Sequence, residues 1–185
     1  MKIGLTGGIG CGKSTALNIF AEMGWHTMST DAIAHELITK DAEVGAELMR
    51  IFGTKEKQMI AKEVFSNVEK KQDLEEILHP RIRQHWLSKI ENNPEDNWVI
   101  EIPLLIEKSL ENYFDLVVCV ASSLENQLER LHLRGITEDD AKARIANQAP
   151  LSLKIQNSDR VLSNNGTILF LEEQIKHLHK QLEAQ

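Results

Sequence analysis

A stretch near the beginning of the chain has the pattern G-x-x-x-x-G-K-S, which is typical of phosphate-binding loops. It runs from Gly7 to Ser14, after a short apolar strand pattern and before an amphipathic helical pattern. Glycines let backbone N–H groups turn toward phosphate oxygens, and the N-terminus of the following helix adds a positive field. Lys13 would contact the β- and γ-phosphates, and the Ser14 hydroxyl would bind Mg²⁺. The predicted nucleotide contacts are Gly8, Ile9, Gly10, Cys11, Gly12, Lys13, Ser14 and Thr15.

The motif alone leaves open whether the bound triphosphate is hydrolysed, drives a switch or donates a phosphoryl group. A GTPase would need an N-K-x-D sequence to select guanine, and the chain has none. Ring and motor ATPases are usually larger. A small-molecule kinase needs an acceptor pocket, a base for the acceptor hydroxyl and a cationic lid that excludes water. The chain has a candidate for each of these parts.

Two acidic residues lie where strand patterns end, at the edge where α/β proteins bind ligands. Asp31 would accept a proton from an attacking hydroxyl, orient Mg²⁺ through water, or cap a helix that begins at Ala32. Glu101 would stand near the metal at the end of its strand, or be a buried acid with an internal partner. Position alone does not choose between these roles.

Three arginines flank Gly135 in a polar helix-turn-helix segment: Arg130, Arg134 and Arg144. Arginines there would close over a triphosphate and neutralise charge in the transition state. Each of them also fits a solvated helix face. The position of Arg134 at the predicted turn favours a functional role for it, whereas Arg144 fits the solvated face better.

His79 precedes Pro80, and this pair predicts the start of another helix. An isolated histidine more often caps a helix or fills a structural role than acts as a catalyst. Its residue type alone therefore assigns no chemistry to it.

The elements that would position these residues alternate between strand and helix patterns, which predicts an α/β, doubly wound sheet. The strand patterns lie at 2–6, 25–28, 98–102, 116–120 and 160–162. The runs at 98–102 and 116–120 are continuous rather than alternating, as expected of parallel strands buried on both faces. Between about 32 and 92, apolar residues recur at helical spacing, which indicates a helical insertion. Ser122 and Thr137 are the predicted N-caps of two later helices.

Composition limits the classes of function. The chain has 185 residues and a formal net charge of −7, which predicts one domain and argues against nucleic acid or an anionic membrane as partner. The charge does not exclude an anionic ligand held by a few placed cations. No apolar run approaches the ~20 residues of a membrane span. Only Cys11 and Cys119 are cysteines and no signal-peptide pattern is visible, which predicts a reduced, cytoplasmic protein.

Taken together, these landmarks resemble the dephospho-coenzyme A kinase family over essentially the whole chain. The doubled glycine before the phosphate loop, followed downstream by His-Pro and Pro-Leu-Leu, is more specific than the loop alone. The residues that carry the resemblance are Leu5 to Thr15, Asp31 with Ile33-Ala34-His35, His79-Pro80, Pro103-Leu104-Leu105-Ile106-Glu107, Gln127 to Arg134, Gln148 and Asn164-Asn165-Gly166.

The resemblance implies ATP-dependent phosphorylation of the ribose 3′-hydroxyl of dephospho-coenzyme A, the last step of coenzyme A synthesis. It implies a P-loop NTPase-type three-layer fold with a central parallel sheet, a helical substrate-binding insertion and a lid. The whole chain, 1–185, would be one kinase domain. Its core would lie at about 1–31, 97–122 and 158–185, its coenzyme-A-binding insertion at about 32–92 and its lid at about 128–148.

The resemblance also implies roles for single residues. Asp31, Lys13 and Arg134 would be catalytic, and Asn165 would lie in a loop on the adenine side. Acceptor contacts would come from Asp31, His79, Glu101 and Leu104. The expected partners are ATP, Mg²⁺ and dephospho-coenzyme A, with no nucleic acid and no membrane. The sequence does not determine the oligomeric state, and a monomer is favoured.

The chain departs from the family pattern on the acceptor side. Ser29 stands where the family often has an aspartate, and the segment 53–57 is shortened. Lys57 occupies a position where an arginine is expected, and the two are not equivalent for bidentate phosphate binding. The alternatives are another small-metabolite kinase, such as a nucleoside monophosphate or shikimate kinase, and a regulatory nucleotide-binding module that has no acceptor.

Overall fold

The computed structural model describes residues 1–184, with the side chains at positions 65 and 66 outside the described part. Gln185, which the predicted core included, also lies outside it. The chain divides into two compact units. The sheet unit contains residues 1–29 and those from 95 onward, and the helical unit contains residues 30–94. The functional division into core, acceptor-binding insertion and lid stays a prediction.

The sheet unit contains the parallel strands that the apolar runs predict. Its strands are β1 (Lys2–Gly7), β2 (His26–Ser29), β3 (Trp98–Glu101), β4 (Leu116–Ala121) and β5 (Arg160–Ser163). Among the described residues they form one five-stranded sheet in the order β2-β3-β1-β4-β5. Every neighbouring pair in it is parallel. The prediction of an α/β fold around a parallel sheet is confirmed.

Helices and turns cover the sheet. The helices of this unit are α1 (Lys13–Glu22), α6 (Leu124–Leu133), α7 (Glu138–Ala146), α8 (Leu151–Gln156) and α9 (Ile168–Glu183). Apolar residues of α1 and α9, such as Phe20 and Ile175, pack with Ile3 and Leu5 of β1 in one buried core. The opposite side of β1 is closely covered, because a Cβ at Gly4 would lie 2.6 Å from a methyl carbon of Leu105. This burial on both faces explains why the strands are continuously apolar.

The helical unit consists of α2 (Thr30–Lys40), α3 (Ala42–Phe52), α4 (Lys57–Ser66) and α5 (Val68–Asn92). Asp41 caps α3 by accepting from the N–H groups of Glu43 and Val44, and Asn67 caps α5 through the N–H of Lys70. These helices share a separate apolar core formed by Val44, Leu48, Phe52, Ile60, Ile77 and Leu78.

Two predicted helix starts are wrong. His79 and Pro80 lie inside α5, which continues through the proline. Buried Ile77 and Leu78 precede Pro80 and buried Trp86 follows it, so packing along the helix outweighs the hydrogen bond that proline cannot donate.

The second wrong start is the N-cap of α6. Ser123, not Ser122, caps this helix by accepting from the N–H of Asn126 at 3.2 Å. Ser122 instead turns inward and donates to the carbonyl of Asn164. Thr137 does cap α7, as predicted, by accepting from the N–H of Asp140.

Hydropathy along the helices gives one further result. No helix in the described range 1–184 is long and apolar enough to cross a membrane.

Candidate active site

The phosphate loop, defined here as residues 8–12, connects the carboxyl end of β1 to the first turn of α1. The N–H of Cys11 donates to the carbonyl of Gly8 at 3.2 Å and so closes a tight turn. Gly12 is the N-cap of α1 and carries no side chain that could cap the helix. The first N–H groups of α1 therefore point out of the helix end, where an anion is favoured.

Glycine is required at position 12 for two reasons. Its φ of 93° lies in the left-handed region, which strains any residue with a Cβ. A Cβ there would also lie 2.1 Å from Nδ2 of Asn164. The loop can therefore adopt this path only because position 12 has no side chain.

The outward carbonyls of the loop are held by side chains from elsewhere in the sheet unit. Arg130 donates to the carbonyl of Gly10 at 3.2 Å. Asn164 donates to the carbonyl of Cys11 at 2.9 Å. Because the C=O and N–H of a trans peptide point in opposite directions, these bonds turn the N–H groups that follow toward the inside of the loop. The loop is thus prepared to bind phosphate oxygens.

Arg130 connects the loop to two other segments. Its guanidinium also donates to the Ser122 hydroxyl at 2.8 Å and to the carbonyl of Asn164 at 2.7 Å. The interpretation of Arg130 as a residue of a solvated helix face is therefore wrong. Arg130 and Lys13 thus bring two cationic side chains to the loop, although the chain as a whole is negatively charged.

Lys13 and Ser14 lie in the first turn of α1, next to the phosphate loop. The ammonium of Lys13 donates to the carbonyl of Gly8 at 3.1 Å and is largely buried. The Ser14 hydroxyl donates to Glu101, at 3.2 Å from Oε1 and 3.4 Å from Oε2. Glu101 is only 3% exposed, and it ends β3, where it pairs with Leu5 of β1 and with Ser29 of β2.

Ser14 and Glu101 suit a metal ion that arrives with phosphate groups. Among the residues that the structure describes, no group of three or more His, Cys, Asp or Glu side chains could hold a metal by itself. Mg²⁺ prefers oxygen ligands and commonly binds through one or two protein groups together with substrate phosphates and water. A hydroxyl and a carboxylate in contact beside a phosphate loop fit that pattern.

Comparison with known proteins decides the family. The profile described as dephospho-CoA kinase matches residues 1–169 of the chain. A dephospho-CoA kinase from Bacillus thuringiensis is 35% identical over 191 aligned positions, which cover 97% of this chain and 96% of the relative. This chain belongs to the dephospho-CoA kinase family.

Two solved structures agree with that assignment. A protein from Thermus thermophilus matches with a TM-score of 0.85 and 30% identity, and the match covers 98% of this chain and 97% of the other. A dephospho-CoA kinase from Campylobacter jejuni matches with a TM-score of 0.72 and 26% identity over 98% of both chains. The predicted family and its P-loop kinase fold are confirmed.

Asp31 and His79, which the family resemblance singles out, lie in the helical unit. Asp31 is exposed in the first turn of α2, two residues after the end of β2. It is therefore not the N-cap of this helix, which begins at Thr30. His79 lies in α5, where its ring is 3.9 Å from the Glu75 carboxylate.

Arg134, for which sequence reasoning favoured a functional role, lies at the exposed C-terminal end of α6. Arg144 is also exposed, in the last turn of α7. The structure thus brings Arg130 into contact with the phosphate loop and leaves both other arginines in solvent. Arg130 was one of the three candidate arginines. No local sequence pattern could single it out, because the carbonyl that it contacts lies 120 positions away in the chain.

The loop predicted for the adenine side contains a buried and an exposed asparagine. Asn164 is the buried one and supports the phosphate loop. Asn165 is exposed, and its side chain accepts from the N–H of Ser123 at 2.7 Å. This bond joins the loop after β5 to the beginning of α6, beside the phosphate loop.

A network that sequence reasoning missed joins the turns after β3 to α8. Leu104 is half-buried in the turns that follow β3. In the same turns, Glu107 forms an ion pair at 2.7 Å with Lys154, whose side chain is fully buried. Lys154 also donates to the carbonyl of Pro103 at 2.6 Å. The one sequence feature that could have indicated this network is Lys154 itself, a lysine between apolar residues in the short pattern Leu-Ser-Leu-Lys-Ile.

Neither cysteine is suited to be a nucleophile. Burial raises the pKa of the Cys11 thiol, although Ser122, Lys13 and Arg130 oppose the shift. Burial, with the nearby Cys11 as a lesser cause, raises the pKa of Cys119 from 9.0 to about 12. Both thiols therefore stay protonated near neutral pH, and the reactive thiolate is suppressed.

Proposed function

We propose that this chain transfers the γ-phosphoryl group of ATP to the ribose 3′-hydroxyl of dephospho-coenzyme A, giving coenzyme A and ADP. The proposal rests on one observation above all. In a member of the dephospho-CoA kinase family, the carbonyls of the phosphate loop are held outward by Arg130 and Asn164. Such an arrangement stabilises bound phosphate groups through preorganised N–H donors.

On the ATP side, the phosphates bind to Lys13 and to N–H groups of residues 8–15 other than those of Ile9 and Cys11, which donate to Gln148 and to the carbonyl of Gly8. The ammonium of Lys13 already lies at the loop through its bond to Gly8, so it needs little rearrangement to meet a phosphate oxygen. Arg134 closes over the nucleotide from the segment 128–148 and neutralises charge that develops during transfer. Asn165 contributes on the adenine side.

Mg²⁺ is the metal that the oxygen groups at the end of β3 favour. The Ser14 hydroxyl would bind it, and Glu101 would orient a water molecule in its coordination shell. The ion would supply charge neutralisation on the phosphate oxygens. Glu101 also keeps the Ser14 hydroxyl oriented through the bonds of 3.2 and 3.4 Å.

Asp31 accepts the proton of the ribose 3′-hydroxyl. It is exposed and lies in the first turn of α2. A carboxylate within hydrogen-bond reach of the attacking hydroxyl would remove its proton as the new O–P bond forms.

Acceptor binding also involves the helical unit. His79 and Arg83 are four positions apart on α5 and so share a helix face. Nε of Arg83 is buried and, among the described side-chain atoms, has no hydrogen-bond partner. An anionic group of the acceptor would satisfy this donor. Glu101 and Leu104 are the proposed acceptor contacts in the sheet unit.

The decisive experiment measures ADP release from purified protein with Mg·ATP and one candidate acceptor at a time. Dephospho-coenzyme A should stimulate release and be converted to a product one phosphate heavier by mass spectrometry, whereas AMP and shikimate should not. Stimulation by AMP or shikimate instead would identify another small-metabolite kinase. ATP binding with the same slow hydrolysis for every acceptor would identify a regulatory module and refute the proposal.

A further inference from the structure

We infer that Gln148 is a positioning residue that orients one peptide group of the phosphate loop and thereby places Lys13. The inference depends on the proposed function only in taking ATP as the nucleotide. Oε1 of Gln148 accepts a hydrogen bond from the N–H of Ile9 at 3.1 Å. Gln148 follows α7, so this contact joins the loop to a segment 139 positions away in the chain.

The peptide between Gly8 and Ile9 is fixed at both of its polar ends. Its N–H is held by Gln148. Its carbonyl accepts from the Lys13 ammonium at 3.1 Å and from the N–H of Cys11 at 3.2 Å. Because the peptide is planar, rotation at the N–H end would also turn the carbonyl away from Lys13. Gln148 therefore acts on the phosphate-binding cation through one rigid peptide.

Gln148 is itself held by a buried support. The next N–H, that of Ala149, donates to Oε1 of Glu107 at 3.0 Å. Glu107 is paired with fully buried Lys154, and Lys154 also donates to the carbonyl of Pro103. A buried ion pair with further hydrogen bonds resists displacement, since removing either partner would leave a buried charge uncompensated. The Gln148 side chain thus extends from a rigid base.

Gln127 in α6 also limits the space around the loop. A Cβ at Gly8 would lie 3.0 Å from Oε1 of Gln127, and one at Gly10 would lie 3.0 Å from its backbone oxygen. The loop is therefore approached both by Gln127, which directly precedes the segment predicted as the lid, and by Gln148, which ends that segment. Contacts at both ends fix the loop while the segment between them carries the exposed Arg134.

The test replaces Gln148 by methionine, which has a similar length and no carbonyl acceptor. Gln148→Met should weaken ATP binding by about three- to tenfold, the effect of losing one neutral hydrogen bond. KM for ATP should rise in parallel while kcat at saturating ATP stays unchanged, as expected when binding is lost equally in ground and transition states. Exchange of the Ile9 amide hydrogen, followed by NMR, should become faster.

Gln156→Met is the matched control, because Gln156 is an exposed glutamine at the end of α8. It should change none of these quantities. Unchanged ATP affinity and Ile9 exchange in Gln148→Met would overturn the inference. So would a fall in kcat at unchanged ATP affinity, since that result would place Gln148 at the reacting atoms.

Gln148→Glu keeps an acceptor oxygen and decides the question if the methionine variant does not fold. The Ile9 amide should remain as protected as in the wild type, and loss of that protection would also overturn the inference. ATP titration and amide exchange need no acceptor substrate. A wild-type protein that fails to phosphorylate dephospho-coenzyme A would therefore refute the proposed function and leave this inference intact.

Discussion

The hydroxyl of Ser14 donates to both carboxylate oxygens of Glu101, at 3.2 and 3.4 Å. Ser14 lies in the first turn of α1 and Glu101 ends β3, so the contact joins the two elements that converge at the phosphate loop. It gives the carboxylate of Glu101, which is almost wholly buried, a hydrogen-bond donor.

Replacing this acid should weaken metal binding. Glu101→Gln keeps the shape of the side chain and removes its charge, so the concentration of free Mg²⁺ at half-maximal activity should rise by about 10- to 100-fold. A Mg²⁺ titration at constant free ATP measures this shift. Glu95→Gln, at an exposed position of the same unit, serves as the control. An unshifted titration in Glu101→Gln would exclude Glu101 from the metal site.

Removal of the proposed base should affect transfer and spare nucleotide binding. Asp31→Asn should bind ATP normally and lower kcat by about 10²- to 10⁴-fold, the usual contribution of general base catalysis. Calorimetric titration with ATP and a coupled ADP assay measure the two quantities. Asp139→Asn, also exposed in the first turn of a helix, should be silent. Near-normal turnover in Asp31→Asn would remove Asp31 from the mechanism.

Mutation of Arg130, in α6, and of Arg134, at the C-terminal end of that helix, should affect different kinetic quantities. Arg130→Met leaves the carbonyl of Gly10 without its charged donor, so ATP affinity should fall by about 10- to 100-fold. Arg134→Met should leave ATP affinity intact and lower kcat at least about tenfold, because the proposed contact forms during transfer. Steady-state kinetics with each substrate varied separates the two effects, with Arg144→Met as control. The same pattern in both variants would contradict their separate roles.

Position 12 should tolerate no side chain, and Gly24 offers a control for backbone strain. Gly24 also has a positive φ, of 87°, but an added Cβ there would meet no atom within 4 Å. Gly24→Ala should lose about 1–2 kcal/mol of unfolding free energy and bind ATP normally. Gly12→Ala should lose more and no longer bind ATP, because Asn164 occupies the space. Urea unfolding and ATP titration test both, and ATP binding by Gly12→Ala would show that the loop can rearrange.

Alkaline pH should destabilise the protein through Cys119. Its pKa is 9.0 in the ordinary case and is raised to about 12 in the fold, so the folded state retains a proton that the unfolded chain releases. The protonated Cys119 thiol therefore contributes to the free energy of unfolding. This contribution is fully present below pH 9.0 and is lost as the pH rises toward about 12. Urea unfolding at about pH 8 and about pH 10 should therefore show a smaller decline for Cys119→Ala than for the wild type. An equal loss of unfolding free energy in both proteins would contradict the raised pKa of Cys119.

The phosphate loop and the parallel sheet could be predicted because their signals are local. One stretch of consecutive residues determines the loop, and continuous apolar runs determine the buried strands. Arg130 and Gln148 could not be assigned, since their partners in the loop lie 120 and 139 positions away. Pro80 was misleading for a related reason, because the packing of residues on both sides of it maintains α5.

The position of β1 in the sheet has a consequence for how the chain folds during synthesis. β1 is made first, yet it pairs with β3 from Trp98 and with β4 from Leu116. The helical unit, by contrast, is one uninterrupted stretch of residues 30–94 and can form its internal contacts earlier. Unpaired strand edges favour aggregation. Nascent chains that have not yet reached Ala121 therefore expose the central strand, and this is the stage at which a chaperone would protect them.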